Sequence, residues 1–394
     1  MYRLLLAVFL VCATAGSACA QSLEDLNVQF HGFATQGFLY STNNNVFATN
    51  SSNGSPDWTE AVINLSLQPI PNLRISIQPR YELLGNYSNG FSLDYAQADY
   101  KANDRFGVRF GKVKIPTGLY NEIQDVDPGY IWSLLPQSIY PITSRNGQLS
   151  QYGGVVYGTL SLEDHPKLGK LEYRAWGGEI GLSSSDGYLL PYVENGINLP
   201  NGLTRTEAGA ALHWRTPLHG LMIGVSEVKN FTITGAISTL FPSGSGVVPV
   251  NGEFVAQPYF QPDYFAQFVR GKFMIATEYT RLAVQYKFQF PGPAAPYAQA
   301  DERSVFGMAS YKISEKFAAG LYYSQQFSRG AAPGPAGYSK DWALAARYDF
   351  NQYLYAKAEE HFIDGTGEFY EDGLNPNGLK GTTRLTILKV GVSF

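Results

Sequence analysis

Along most of the chain apolar and polar residues alternate one by one, the signature of strands with two unlike faces. In AVINLSLQ, Ala61, Ile63, Leu65 and Leu67 share one face while Asn64, Ser66 and Gln68 share the other. LRISIQPRYEL sets Leu73, Ile75, Ile77 and Tyr81 against Arg74, Ser76, Gln78, Arg80 and Glu82, and RFGVRFG sets Phe106, Val108 and Phe110 against Arg105 and Arg109. Sixteen such segments start near Asn27, Asp57, Leu73, Phe91, Arg105, Ser150, Leu168, Leu203, Leu221, Tyr259, Lys272, Asp301, Lys316, Lys340, Gln352 and Lys380. Their connections alternate in length. Positions 69–72, 102–104, 163–166, 216–220, 271, 314–315 and 351 are short. Stretches 41–56, 84–90, 114–149, 183–202, 234–258, 290–300, 330–339 and 365–379 are long and rich in Gly, Pro, Asn and Ser.

After the first twenty residues no run approaches the roughly 20 apolar positions of a spanning helix. An even strand count with short turns on one side and long loops on the other predicts an all-β chain: a transmembrane antiparallel β-barrel of about 16 strands. The turns are then periplasmic and the long loops extracellular. A soluble sandwich would have to hide Arg74, Arg80 and Glu82 in its core, whereas a barrel this wide lets them line water.

Composition agrees. Aromatics reach 14%, and charged residues are only 16%, against about 25% in ordinary soluble domains. A net charge of −4 implies no nucleic-acid partner. MYRLLLAVFLVCATAGSACA carries Arg3, an apolar stretch from Leu4 to Ala13 and an A-x-A site at Ala18-Cys19-Ala20. This predicts a cleaved signal peptide over 1–20 and a single barrel domain over 21–394. A membrane anchor is disfavoured by the short apolar run, and lipidation at Cys19 by Gly16 three positions earlier. Cys12 and Cys19 are the two cysteines of the chain, so the mature protein is expected to hold no disulfide, thiolate metal site or cysteine nucleophile.

Burying Arg or Lys on a lipid face near the midplane costs about 2–4 kcal/mol. Mid-strand Arg74, Arg80, Arg109, Arg174, Arg205, Arg347 and Lys357 are therefore expected to point inward. Phe30, Tyr100, Tyr173, Trp214, Tyr348 and Phe350, near strand ends, are expected in interface girdles.

The third long connection, 114–149, is the longest, and loops of that length usually carry function. Ile131, Trp132, Leu134, Leu135, Ile139 and Tyr140 give it too much apolar surface to leave in water. The inner barrel wall is the available partner. RFGKVKIPTGLYNE followed by LLPQSIY, a long third loop, sixteen strands and a final Phe resemble the bacterial outer-membrane porin superfamily, general porin-like and related to the phosphate-selective porins. The resemblance implies that 114–149 folds inward as a constriction, with acidic Glu122, Asp125 and Asp127 opposite basic wall residues Arg74, Arg80 and Arg109. Opposed charges of that kind orient polar solutes; solvated or capping carboxylates are the alternative. Lys112 and Lys114 are expected at the pore mouth or as interfacial lysines. The resemblance also implies a homotrimer, although the 84–90 connection is short for an intersubunit latch. It further makes Phe394, closing the alternation of RLTILKVGVSF, the signal read by barrel-assembly machinery.

The function expected is passive diffusion of small hydrophilic solutes or ions across outer-membrane lipid, with no cofactor and no metal. The alternative is an adhesin or structural barrel acting through its outer loops. No catalysis is expected: His31, His165, His213, His219 and His361 lie in no recognisable Ser or acid motif and form no H-x-x-x-H pair. A plugged transporter would need about 22 strands.

Overall fold

The computed structural model describes residues 26–161, 168–243, 246–368 and 370–394. The predicted signal peptide and the 163–166 turn lie outside the described residues. Strands β1 (Gln29–Ser41), β2 (Ser55–Ile70), β3 (Leu73–Leu84), β4 (Ser88–Asn103), β5 (Phe106–Lys114), β6 (Ser150–Ser161), β7 (Lys170–Leu182) and β8 (Leu203–Arg215) form the first half. The second half holds β9 (Leu221–Ser243), β10 (Gly246–Ala256), β11 (Tyr259–Arg270), β12 (Phe273–Gln289), β13 (Ala298–Lys312), β14 (Phe317–Ser328), β15 (Tyr338–Asp349), β16 (Leu354–Gly365) and β17 (Thr382–Ser393). All pair antiparallel in one sheet, and β17 closes on β1 from Phe33↔Ser393 to Ser41↔Leu385.

Strands β10 and β11 are two segments of one barrel position. Ala256 faces Ile233 of β9 while Tyr259 faces Asn230 of the same strand, and both segments also pair with β12. The barrel is thus sixteen-stranded, as the alternation predicts. One expected loop is corrected here. Much of 234–258 is not a loop: the upper part of β9 and β10 form a hairpin standing above the rim, with Leu240, Phe241, Val247 and Val248 exposed.

Alternation explains the two faces. Ile63, Ile77, Leu212, Leu344, Leu388, Val390 and Val392 are exposed on the outside, where lipid replaces water. Closing the sheet satisfies every edge N–H and C=O in that environment. Expected girdle residues Phe30, Tyr100, Trp214, Tyr348 and Phe350 are exposed as well. The final residue joins this belt. Phe394 exchanges both backbone hydrogen bonds with Gly32, at 3.1 and 3.0 Å, and its ring lies 5.5 Å from Phe30.

The inner face is not uniformly wet. The second outer connection shrinks to 85–87, shorter than the expected 84–90. Val46 and Phe47 of the first outer loop are buried with Trp58, Leu84, Leu134 and Leu385. Asn45 of this loop exchanges hydrogen bonds with Asn375 of the last loop. One side of the extracellular half is therefore filled by packed loops.

Candidate pore constriction

The connection 115–149, here L3, leaves β5 at Ile115 and crosses the lumen. The IPTGLYN turn fixes its departure. Gly118 sits at φ +59, and a Cβ there would lie 2.3 Å from Glu278 Oε1, so only glycine fits. The Gly118 amide donates to Ser226 Oγ at 2.9 Å, and Thr117 Oγ1 donates to Asp263 at 2.9 Å. Asn121 donates to the carbonyls of Ile115 and Gln148, tying the two ends of the loop together. Tyr140 donates to Glu278 at 2.6 Å while accepting from the amides of Leu119 and Tyr120.

The apolar content of L3 is spent on the wall. Trp132, Leu135 and Tyr140 bury themselves against Phe306, Met308, Tyr322 and Ala343 of β13, β14 and β15. Each such side chain contributes about 1.5–3 kcal/mol on full burial. The tip is held by charge. Asp127 accepts from Lys389 at 2.6 Å and from the Tyr355 hydroxyl at 2.7 Å, and pairs with Lys357 at 3.0 Å. Lys389 also lies 4.0 Å over the Trp58 ring. Glu359 accepts from the amides of Ser133 and Leu134, with His361 between Glu359 and Asp341 behind it.

Of the seven basic residues expected to point inward, six reach L3 directly. Arg80 donates to Asn146, Arg109 and Arg174 meet Glu122, Arg205 donates to the Gly147 carbonyl, Arg347 to that of Pro128, and Lys357 holds Asp127. Arg74 does not. It lies near the periplasmic end of β3, where it donates to Gln29.

The expected facing ladder of Arg74, Arg80 and Arg109 therefore needs correcting. Arg80 is 1% exposed and meets Glu60, Glu82 and Asp94. A register shift at Pro79 turns Asp94 inward beside it; proline cannot donate to the ladder, and such sites bulge. Arg145 of L3 completes this buried set through Glu60 at 2.6 Å and Glu82 at 3.1 Å. The cause is electrostatic: a desolvated guanidinium must be paired, and wall carboxylates stand nearer than the loop cluster. Asp125 pairs with Lys114 at 2.7 Å and accepts from Gln78. Lys114 thus stands at the root of L3 rather than at a mouth. Lys112 bonds the Leu93 carbonyl and lies 5.7 Å from the exposed Tyr152 ring.

A separate charged group beside L3 is reachable by water. Arg109 contacts Asp99 at 3.2 Å and Glu122 at 2.8 Å, and Arg174 meets Glu122 at 3.4 Å and Glu172 at 3.6 Å. These five side chains are about one-fifth to one-quarter exposed, whereas Asp127, Lys357 and Lys389 are almost wholly buried. The lumen is split: dry and cross-linked along β16, β17 and β2, water-reachable and charged along β4, β5 and β7.

Sequence reasoning missed a second inward loop. Residues 183–202 (L4) place Leu189 and Leu199 in a buried cluster with Leu203 and Phe254, and Tyr192 against Tyr286 and Phe288. Apolar Leu189, Leu190, Tyr192, Val193 and Leu199 carried the same signal that exposed L3. Gly187 donates to the Thr143 carbonyl, clasping L4 to L3, and Asp186 beside it is buried. Burial pushes the Asp186 carboxyl up to about 6, against hydrogen bonds from the Tyr188 amide and the Ser144 hydroxyl that lower it. The folded state thus holds this proton more tightly than the unfolded chain, so its stabilising effect is full below the ordinary value of 3.8 and lost as pH rises through about 6. Thermal unfolding is expected to show a midpoint gain from pH 7 to pH 5 that is smaller in Asp186→Asn; equal gains would remove Asp186 from the clasp.

No family model and no curated protein matches this sequence. The fold does have relatives. OmpT lacking loop L8, an outer membrane protein of Vibrio cholerae, aligns with a TM-score of 0.56 at 12% identity, over 93% of this chain and 99% of that one. An anion-selective porin from Comamonas acidovorans gives 0.56 at 10% identity, over 93% and 99%. The outer membrane channel DcaP of Acinetobacter baumannii gives 0.51 at 11%, over 95% and 99%. The chain is a transmembrane β-barrel with the porin fold. Its closed sheet and apolar outer belt belong to the bacterial outer membrane.

Proposed function

We propose that the protein is a diffusion porin passing small hydrophilic solutes or ions down their gradients. The observation that carries this reading is the water-reachable group Asp99, Arg109, Glu122, Glu172 and Arg174, which joins L3 to the wall within a closed barrel. Charges of both signs at a narrow passage admit polar solutes and disfavour apolar ones. Of the carboxylates expected at the constriction, Glu122 serves as the filter and Asp127 as the anchor, with Asp125 holding the loop root. Among the described residues His361 is enclosed by Asp341, Glu359 and Tyr322, which supports a structural rather than a catalytic role.

Export by the 1–20 leader and assembly through Phe394 complete the proposal. A homotrimer is its quaternary state: in-vitro folded OmpT of Vibrio cholerae is described in a trimer form. With only 85–87 in the second outer turn, subunit contacts fall to the barrel wall rather than to a latch. The exposed β9–β10 hairpin supports a second reading, attachment of a surface partner. Planar-bilayer recording separates the two. Purified protein is expected to give stable, ohmic conductance steps in KCl, and repeated insertions without current would leave the attachment reading.

A further inference from the structure

We propose that the space between L3 and L4 is a binding site for a small organic ammonium ion with an apolar or aromatic body. It deepens the diffusion reading and rests on it for the solute's route, although not for its binding. A cavity of about 220 Å³ lies there, with Thr117 and Tyr140 of L3 on one side and Leu189 and Tyr192 of L4 on the other. Its walls are unlike. Leu203, Val228, Phe254, Leu282 and Val284 present apolar surface, while Glu207, Asp263, Glu278 and Glu302 bring four carboxylates.

Arg205 is the cation among the lining residues. Through one terminal nitrogen it reaches Glu207 Oε2 at 3.1 Å and the Gly147 carbonyl, while its Nε is left without an acceptor. Asp263 and Glu278 are held by hydroxyls and an amide from Thr117, Ser226, Tyr140 and Leu119, all neutral donors. Glu207 is 3% exposed, and its Oε1 has no hydrogen-bond partner. A buried carboxylate oxygen left without a donor is costly. An ammonium group supplies charge and donors together.

The rest of the cavity selects the body of the ligand. Tyr192, Tyr286 and Phe254 offer ring faces and edges to an apolar group and to a cation. An anion would meet the unpartnered Glu207 oxygen and three further carboxyl groups, with one guanidinium to receive it. A bare inorganic cation would leave the apolar wall without a partner.

Phenethylamine is a suitable probe and phenylacetate its anionic counterpart. In single-channel recording, phenethylamine added on the loop side is expected to interrupt the KCl current, and phenylacetate is not. Glu207→Gln should raise the half-blocking concentration about tenfold, the loss of one charge-assisted contact. Glu302→Gln, at a half-buried position, should weaken block in the same direction and keeps the test open if the first variant fails to fold. Calorimetry on the barrel in detergent micelles reads binding without conduction. A protein that conducts KCl but is blocked equally by both compounds, or as strongly in both variants as in the parent, overturns the site and leaves the channel. A protein that binds phenethylamine without conducting overturns the channel and leaves the site.

Discussion

Replacing Asp127 by Ala is expected to give the largest change in channel behaviour: higher conductance and strong current noise, with reduced thermal stability. Asp127 is the shared anion of Lys357 and Lys389, whose side chains are 0% and 1% exposed. Removing one partner of a buried pair typically costs about 3–5 kcal/mol, because an uncompensated charge stays behind. The tip of L3 would then leave the wall. Asp127→Asn, which keeps an accepting oxygen, should be milder. A triple variant with apolar residues in place of Asp127, Lys357 and Lys389 should recover a quiet channel, since well-packed apolar groups often replace such sets without loss. The Asp127 carboxyl is held well below its ordinary value: burial raises it, but Lys357 and Lys389 outweigh this. The anchor is therefore fully present above the ordinary carboxylate value of 3.8 and is lost only as pH falls far below it. Unchanged conductance and noise in Asp127→Ala would show that this anchor does not hold the loop.

The second large effect is on selectivity. Replacing Arg109 and Arg174 together by Ser leaves Asp99, Glu122 and Glu172 without their guanidinium partners. These groups are partly exposed, so their charge acts on passing ions instead of being cancelled in a dry pair. The cation-to-anion permeability ratio should rise roughly twofold or more, read as a shift of reversal potential under a KCl gradient. Glu122→Gln should move it the other way. Arg80→Ser is expected to lower stability while leaving selectivity near the parent value, because Arg80 is closed off by Glu60, Glu82 and Asp94. A reversal potential that stays fixed in the double variant would remove Arg109 and Arg174 from the ion path.

The strands were legible because each has one lipid face and one inner face, and that demand writes a period of two into the sequence. Segment starts predicted at Leu73, Ser150, Leu203, Leu221 and Tyr259 coincide with observed ones. The β10 arm escaped because its leading part, GVVPVNGE, has both faces largely in water and owes no alternation to lipid, and only Phe254 and Ala256 at its end turn into the core. L3 was legible through Trp132, Leu134 and Tyr140, which need cover. Arg80 was misplaced for a different reason. Its surroundings combine Glu60, Asp94 and Arg145, brought together by the β2–β3–β4 pairing, a register shift and a loop that begins on β5. No local pattern encodes such a meeting. Lys357 and Lys389 share this difficulty, since an inward lysine reads alike whether it meets water or a loop carboxylate.

The anchor of L3 also sets an order on assembly. Asp127 and Lys389 are 262 positions apart, and Lys389 belongs to β17, the strand that closes on β1. Pairings of such long sequence separation form late, because their loop-closure entropy is unrewarded until then. The Lys389 contact cannot form before the closing strand is in place. Until that moment Lys389 lacks its anion and both sheet edges stand open, so the half-made barrel is also the form most in need of shelter from other chains.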